Sequence, residues 1–166
     1  MAWNPSQSLA FAGPRMQPAI DLLGRIPQES PASVVDLGCG PGNITPLLRQ
    51  RWPDARILGL DNSDTMLTRA RAACPDELFE FTDITAWNPA TRYDVIFSNA
   101  ALQWVEGHDT LFPRLLDQVA PGGTLAIQIP RNNDAPSHRL IDEVIDNGPW
   151  RELLAPVRDA NPTQKP

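Results

Sequence analysis

Val34-Val35-Asp36-Leu37-Gly38-Cys39-Gly40-Pro41-Gly42 is the stretch that decides the fold. Ser33 to Leu37 is short, apolar and β-branched, the mark of a buried strand. Gly38, Gly40 and Gly42 break it, and Ile44 to Arg51 then reads as a helix. A strand that turns through glycines into a helix lets backbone approach a ligand and aims the free N–H groups of the helix start at it. The spacing is Gly-x-Gly-x-Gly, not Gly-x-Gly-x-x-Gly, and the strand carries an acid, Asp36. A carboxylate there disfavours a pyrophosphate and favours a ligand with a cationic amino-acid end.

Outward from this unit, strand and helix alternate. Met16 to Arg25 is an amphipathic helix, with Ile20, Leu22 and Leu23 on its apolar side. Further strands are expected at Arg56 to Leu60, Phe79 to Phe81, Tyr93 to Ser98 and Thr124 to Ile129. Helices are expected at Asp64 to Ala73, Leu111 to Val119 and Ser137 to Ile145, with Pro121-Gly122-Gly123 as a helix stop and turn. The pattern predicts an α/β fold, a Rossmann-like doubly wound sheet of parallel strands covered on both faces. Residues 1–30 form an N-terminal segment and helix, 31–150 the core, and 151–166 a polar, proline-rich tail.

In such sheets the ligand lies outside the carboxyl ends of the strands. Asp61 follows the second strand, about twenty residues beyond the glycines, where an acid accepts hydrogen bonds from ribose hydroxyls. Asn62-Ser63-Asp64 also resembles a helix cap, so Asp61 is either a turn residue or a ribose acid, and the glycine loop favours ribose. Met66, a turn further on, either packs on a purine or sits in the core. Asp83 follows the third strand and can accept from an exocyclic amine such as adenine N6, while Ile84 can cover the ring. Asn99 follows the fourth strand and can hold either ligand or acceptor. Gln103 and Trp104 are either acceptor contacts or ordinary helix residues.

Composition narrows the partners. The 166 residues suit one domain with a substantial core. No run approaches the eighteen or so apolar residues of a membrane span. A net charge of -6 repels phosphate backbones and no basic cluster offsets it, so neither nucleic acid nor a membrane is expected as a partner. Met1 to Ala12 has no secretory signal pattern, and Cys39 and Cys74 form no disulfide framework or metal-type cluster. A cytoplasmic protein with no metal is expected.

Together, Val34 to Gly42, Asp61, Asp83 and Pro121-Gly122-Gly123 resemble the class I S-adenosylmethionine-dependent methyltransferases, in order and spacing. The resemblance implies that Asp36, Gly38, Gly40, Gly42, Asp61, Asn62, Met66, Asp83, Ile84 and Asn99 bind S-adenosylmethionine. A narrower likeness links Trp3-Asn4-Pro5, Ser98 to Trp104, Ala126 to Pro130 and Pro136-Ser137-His138 to the trans-aconitate 2-methyltransferases, which form a methyl ester on a small tricarboxylate. It implies Trp3, Arg15, Gln103, Trp104 and His138 as contacts of a small-molecule carboxylate acceptor, with Arg131 a further candidate anchor. Ser98 to Trp104 is shared with malonyl-carrier-protein O-methyltransferases, which stand as the alternative.

Methyl transfer is an in-line displacement at the sulfonium methyl, and positioning alone can supply up to about ten kcal/mol. A carboxylate acceptor is ionised at neutral pH and needs no base. The two histidines, His108 and His138, sit in no base motif, which fits such an acceptor, and no catalytic side chain is expected. Members of the resembled family continue past the last helix with antiparallel strands that have no counterpart here. The fifth strand is therefore expected at an exposed edge, where a second copy of the chain can pair to give a homodimer. A cofactor-binding core without turnover is the remaining alternative.

Overall fold

The computed structural model describes residues 12–130 and 135–154, with side chains throughout except at 12–15, 137–138 and 141–142. Five strands, β1 (Ser33–Leu37), β2 (Arg56–Asp61), β3 (Leu78–Phe81), β4 (Tyr93–Asn99) and β5 (Val119–Gln128), form one sheet in the order β3-β2-β1-β4-β5. Every neighbouring pair is parallel. The chain order reverses at β1, so the cleft of the fold opens between β1 and β4 at their carboxyl ends.

Alternation along the strands splits the core into two layers. Val34, Ile57, Val95, Phe97 and Ala126 face Ala19 and Leu23 of helix α1 (Ala12–Gly24), Leu48 of α2 (Thr45–Arg51), and Trp52. The next residues along, Val35, Leu58 and Ile96, face Leu111 and Leu115 of α4 (His108–Asp117), together with Ile84 and Trp87. Helix α3 (Asp64–Ala73) packs Leu67 and Ala70 against Phe79 and Cys39. Helix α1 joins the core through Ala19 and Leu23.

The amino ends of β1 and β4 are laced together. Asp94 Oδ2 accepts from the Ala32 and Ser33 N–H groups, each at 2.9 Å, and from Ser33 Oγ at 3.0 Å. Ser33 Oγ in turn accepts the Asp94 N–H at 3.1 Å. On the other side, Arg49 grips Glu77 in two-pronged fashion, at 2.6 and 2.8 Å, joining α2 to the start of β3.

The elements fall where the sequence placed them, with shifted ends. Helix α4 starts three residues before the expected Leu111, because Gly107 at φ +72° turns the chain into it and Thr110 Oγ1 bonds back to the Gly107 carbonyl. Pro121-Gly122-Gly123 is not a separate turn but an irregularity inside β5, between the pairs Tyr93–Val119 and Val95–Thr124. Helix α5 (Pro136–Asn147) leaves Leu140 and Val144 exposed, and residues 151–154 are helical where a tail was expected. Among the described residues β5 has β4 on one side and no strand on the other. No helix among them is long and apolar enough to cross a membrane.

Candidate active site

Four strand ends meet around one cleft of about 420 Å³, a size that suits a nucleoside-sized ligand. Its walls come from Gly38, Gly40 and Pro41 after β1, Asp61 to Ser63 and Met66 after β2, Thr82 to Ile84 after β3, and Ala100, Ala101, Trp104 and Val105 after β4.

The three glycines of the first loop all have positive φ, yet they serve different neighbours. A β-carbon on Gly38 would fall 2.2 Å from the Ala101 methyl, and one on Gly42 would fall 3.2 Å from Ala70 of α3. Only Gly40 looks onto open space, with nothing within 4 Å of where its β-carbon would be. Gly40 is therefore where a ligand can approach the backbone, while Gly38 and Gly42 let the loop seat against β4 and α3.

Asp61 holds that loop. Its Oδ2 accepts the Gly40 N–H at 2.9 Å and its Oδ1 accepts the Ser63 N–H at 2.9 Å. The cap of α3 is Ser63, whose Oγ accepts the Met66 N–H at 3.4 Å. Asp61 is thus not the cap, and its carboxylate stands on the cleft wall with the glycine loop beside it. Asn62 and Met66 share the wall. Met66 belongs to none of the core clusters, which removes the core-methionine alternative.

Across the cleft, Asp83 is exposed and accepts the Thr85 N–H at 2.8 Å. Hydrogen bonds from Thr85 hold its carboxyl below the usual carboxylate range. Ile84 is buried, its side chain turned towards Gly38. Trp104 stands at the mouth, 57% exposed.

Two expected residues lie behind the wall rather than on it. Asp36 is wholly buried, and its Oδ2 has no hydrogen-bond partner among the described residues. Burial above all, and the neighbouring Asp61 charge, push its carboxyl up to about 7. Asn99 Oδ1 is another buried acceptor without a partner among the described residues. Such orphans are costly. A cationic group near them would relieve Asp36, and an ammonium donor would relieve both. The residues therefore fit a ligand with a cationic amino-acid end. The Cys39 thiol is also pushed upward by its burial and by Asp36 and Asp61, which makes it an inert packing residue.

Gln103 departs from expectation. It is buried, its Nε2 donates to the Ala100 carbonyl at 2.7 Å, and it is absent from the cleft wall. The amide nitrogen holds the loop after β4, and Oε1 is a buried acceptor without a partner among the described residues. Trp3 and Arg131 lie outside the described residues, as do the side chains of Arg15 and His138. The backbone places Arg15 on α1 and His138 on α5. Sequence reasoning passed over Pro41, Ser63, Thr82, Ala100, Ala101 and Val105. The Ala100-Ala101 pair had a usable signal, since two small residues beside a glycine loop permit close approach. Ala100 is held at φ +53°, uncommon for a non-glycine residue.

Comparisons with known proteins agree with this geometry. A family model described as a methyltransferase domain matches residues 10–164. A trans-aconitate 2-methyltransferase of Azoarcus sp. (strain BH72) is 51% identical over 96% of this chain, and one of Streptomyces coelicolor is 53% identical over 93%. The chain spans 62% and 54% of those two relatives. A solved S-adenosylmethionine-dependent methyltransferase from Mesorhizobium loti superposes with a TM-score of 0.59 at 34% identity, covering 68% of this chain and 52% of that one. With a parallel five-stranded sheet, a glycine loop and an acid after β2 in the same molecule, the chain belongs to the family of class I S-adenosylmethionine-dependent methyltransferases.

Proposed function

We propose that this chain binds S-adenosylmethionine in the cleft and takes part in methylating a carboxylate of a small polycarboxylic acid such as trans-aconitate, giving a methyl ester. The observation that carries the reading is the contact between Asp61 and Gly40, at 2.9 Å. It fixes the acid beside the one loop glycine that faces open space, so that a ribose resting on that glycine lies within reach of the carboxylate.

The cofactor supplies the chemistry, an electrophilic methyl on a sulfonium. The protein supplies position. Asp61 and Asn62 hold the ribose, and Asp83 and Ile84 take the adenine edge and face. Met66 packs on the ring. Behind the wall, the Asp36 carboxyl and the Asn99 amide oxygen offer acceptors, unpartnered among the described residues, that favour the cationic end. Trp104 and Val105 close the mouth against water, which would otherwise compete as acceptor. A carboxylate acceptor arrives ionised, so no residue need take a proton. Its own charge requires cationic anchors, a role we assign to Arg15 and His138, with Trp3 as a cover. The relatives' names supply the acceptor; a malonyl thioester on a carrier protein is the alternative. We place the reaction in the cytoplasm. The edge of β5, unpaired among the described residues, leads us to infer self-association of the 166-residue chain, to be read by light scattering, where a monomer at high concentration overturns it.

Calorimetry with S-adenosylhomocysteine tests the cofactor site: micromolar binding by wild type, lost in Asp61→Ala at a temperature where circular dichroism shows both folded, supports it. Absence of binding by folded wild type sinks it. Labelled methyl transferred to trans-aconitate and released by mild alkali identifies an ester. Transfer only to a malonyl thioester selects the alternative.

A further inference from the structure

Arg114 is a cation in the last turn of α4, on no wall of the cleft. Its guanidinium reaches across to the loop after β3. Nη2 donates to the Ile84 carbonyl at 2.9 Å, and Nη1 donates to the Thr85 carbonyl. These are consecutive peptide groups. In a trans peptide the C=O and the following N–H point in opposite directions. With the Ile84 carbonyl drawn to Arg114, the Thr85 N–H points away, to Asp83 Oδ1 at 2.8 Å. With the Thr85 carbonyl drawn the same way, the Ala86 N–H points to the Asp83 carbonyl at 3.0 Å. One side chain on the outer helix thus holds two peptide planes, the Ile84 carbonyl also accepting the Trp87 N–H at 3.3 Å, and their far ends orient one acid on the cleft wall.

We propose that Arg114 is a positioning residue for base recognition: by fixing the Ile84 and Thr85 peptide planes it aims the Asp83 carboxylate at the exocyclic amine of the cofactor's adenine. The proposal rests on the S-adenosylmethionine reading above. A lysine could not replace it fully, because the two carbonyls call for two separately placed N–H donors, which the planar fork of arginine provides. The ligand feature at stake is the amine, so a base with an oxygen at that place should gain nothing from Arg114.

The test uses the 166-residue chain and two ligands, S-adenosylhomocysteine and S-inosylhomocysteine, which carries oxygen where adenine carries its amine. Calorimetry of wild type, Arg114→Ala and Arg114→Lys gives six affinities. Wild type should prefer the adenine ligand at least tenfold. Arg114→Ala should weaken the adenine ligand about tenfold and the inosine ligand less than threefold, so that the preference nearly vanishes. Arg114→Lys should fall between them, and it carries the test should Arg114→Ala fail to fold. An equal loss for both ligands, or none, overturns the proposal in favour of a purely structural role. Failure of wild type to bind either ligand removes the cofactor reading itself, and this inference with it.

Discussion

Gly38 and Ala101 touch so closely that a β-carbon on the glycine would lie 2.2 Å from the alanine methyl. The first loop of the site is thereby locked to the loop after β4, and neither can move alone. Gly38→Ala forces this contact apart and also sets an L side chain at φ +73°. Overpacking and strain of this kind each cost about 1–3 kcal/mol. Gly38→Ala is expected to lose about 2–6 kcal/mol in urea unfolding. Adding Ala101→Gly should restore the packing part but not the strain. Strict additivity of the two changes would show that the contact is not what matters.

Gly40 offers the contrasting case. Nothing lies within 4 Å of its missing β-carbon, so Gly40→Ala meets only the conformational cost of φ +56°, about 1–2 kcal/mol. The added methyl projects into the cleft. Gly40→Ala should therefore stay folded with a modest loss of stability, while its affinity for S-adenosylhomocysteine falls tenfold or more. Unchanged affinity in calorimetry would place the ligand elsewhere.

Most of the frame was legible because the strands are short apolar runs bounded by glycines and acids, whereas the strand order β3-β2-β1-β4-β5 emerged only in the structure. The ends of α4 and β5 were not legible either. His108-Asp109-Thr110 is polar and offers no periodicity, and the Pro121-Gly122-Gly123 irregularity depends on Gly123 lying against the Asp94 carbonyl, a contact only the fold creates. Within the site, the wall acids Asp61 and Asp83 were readable from their place after a strand. That Asp36 and Asn99 sit behind the wall was not, since burial of a polar atom leaves no local mark. Gln103 adjoins the cleft loop in sequence, but sequence does not show that its Nε2 turns back onto the Ala100 carbonyl while Oε1 stays buried and unpartnered among the described residues.

Asp94 is the counterpart of the site at the opposite end of the sheet. Its Oδ2 receives three donors from Ala32 and Ser33. Asp94→Ala leaves two backbone N–H groups without this partner, and a loss of about 2–3 kcal/mol is expected. The cleft lies at the other strand ends, so cofactor affinity measured well below the melting temperature should not change. A tenfold affinity loss with unchanged stability would invert the assignment.

Asp36 gives the fold a dependence on pH whose sign is set by burial. Its carboxyl ordinarily ionises near 3.8 but holds its proton to about 7 when folded. Below 3.8 both folded and unfolded chains carry the proton, and the group favours neither. Between 3.8 and 7 the unfolded chain loses the proton while the folded chain keeps it, so rising pH subtracts stability, by up to about 4 kcal/mol once pH passes 7. Asp36→Asn has no such proton to lose. Its melting temperature relative to wild type should climb between pH 4 and pH 7 and level off above. Its affinity for S-adenosylmethionine should move the other way, because the amide cannot offer the negative charge that a cationic ligand draws from the ionised carboxylate. Wild-type affinity should accordingly rise between pH 6 and pH 8, with Asp36→Asn flat across that range. A melting difference independent of pH would mean that Asp36 ionises as an ordinary acid, and equal pH slopes in binding would mean that the cation is held by other groups.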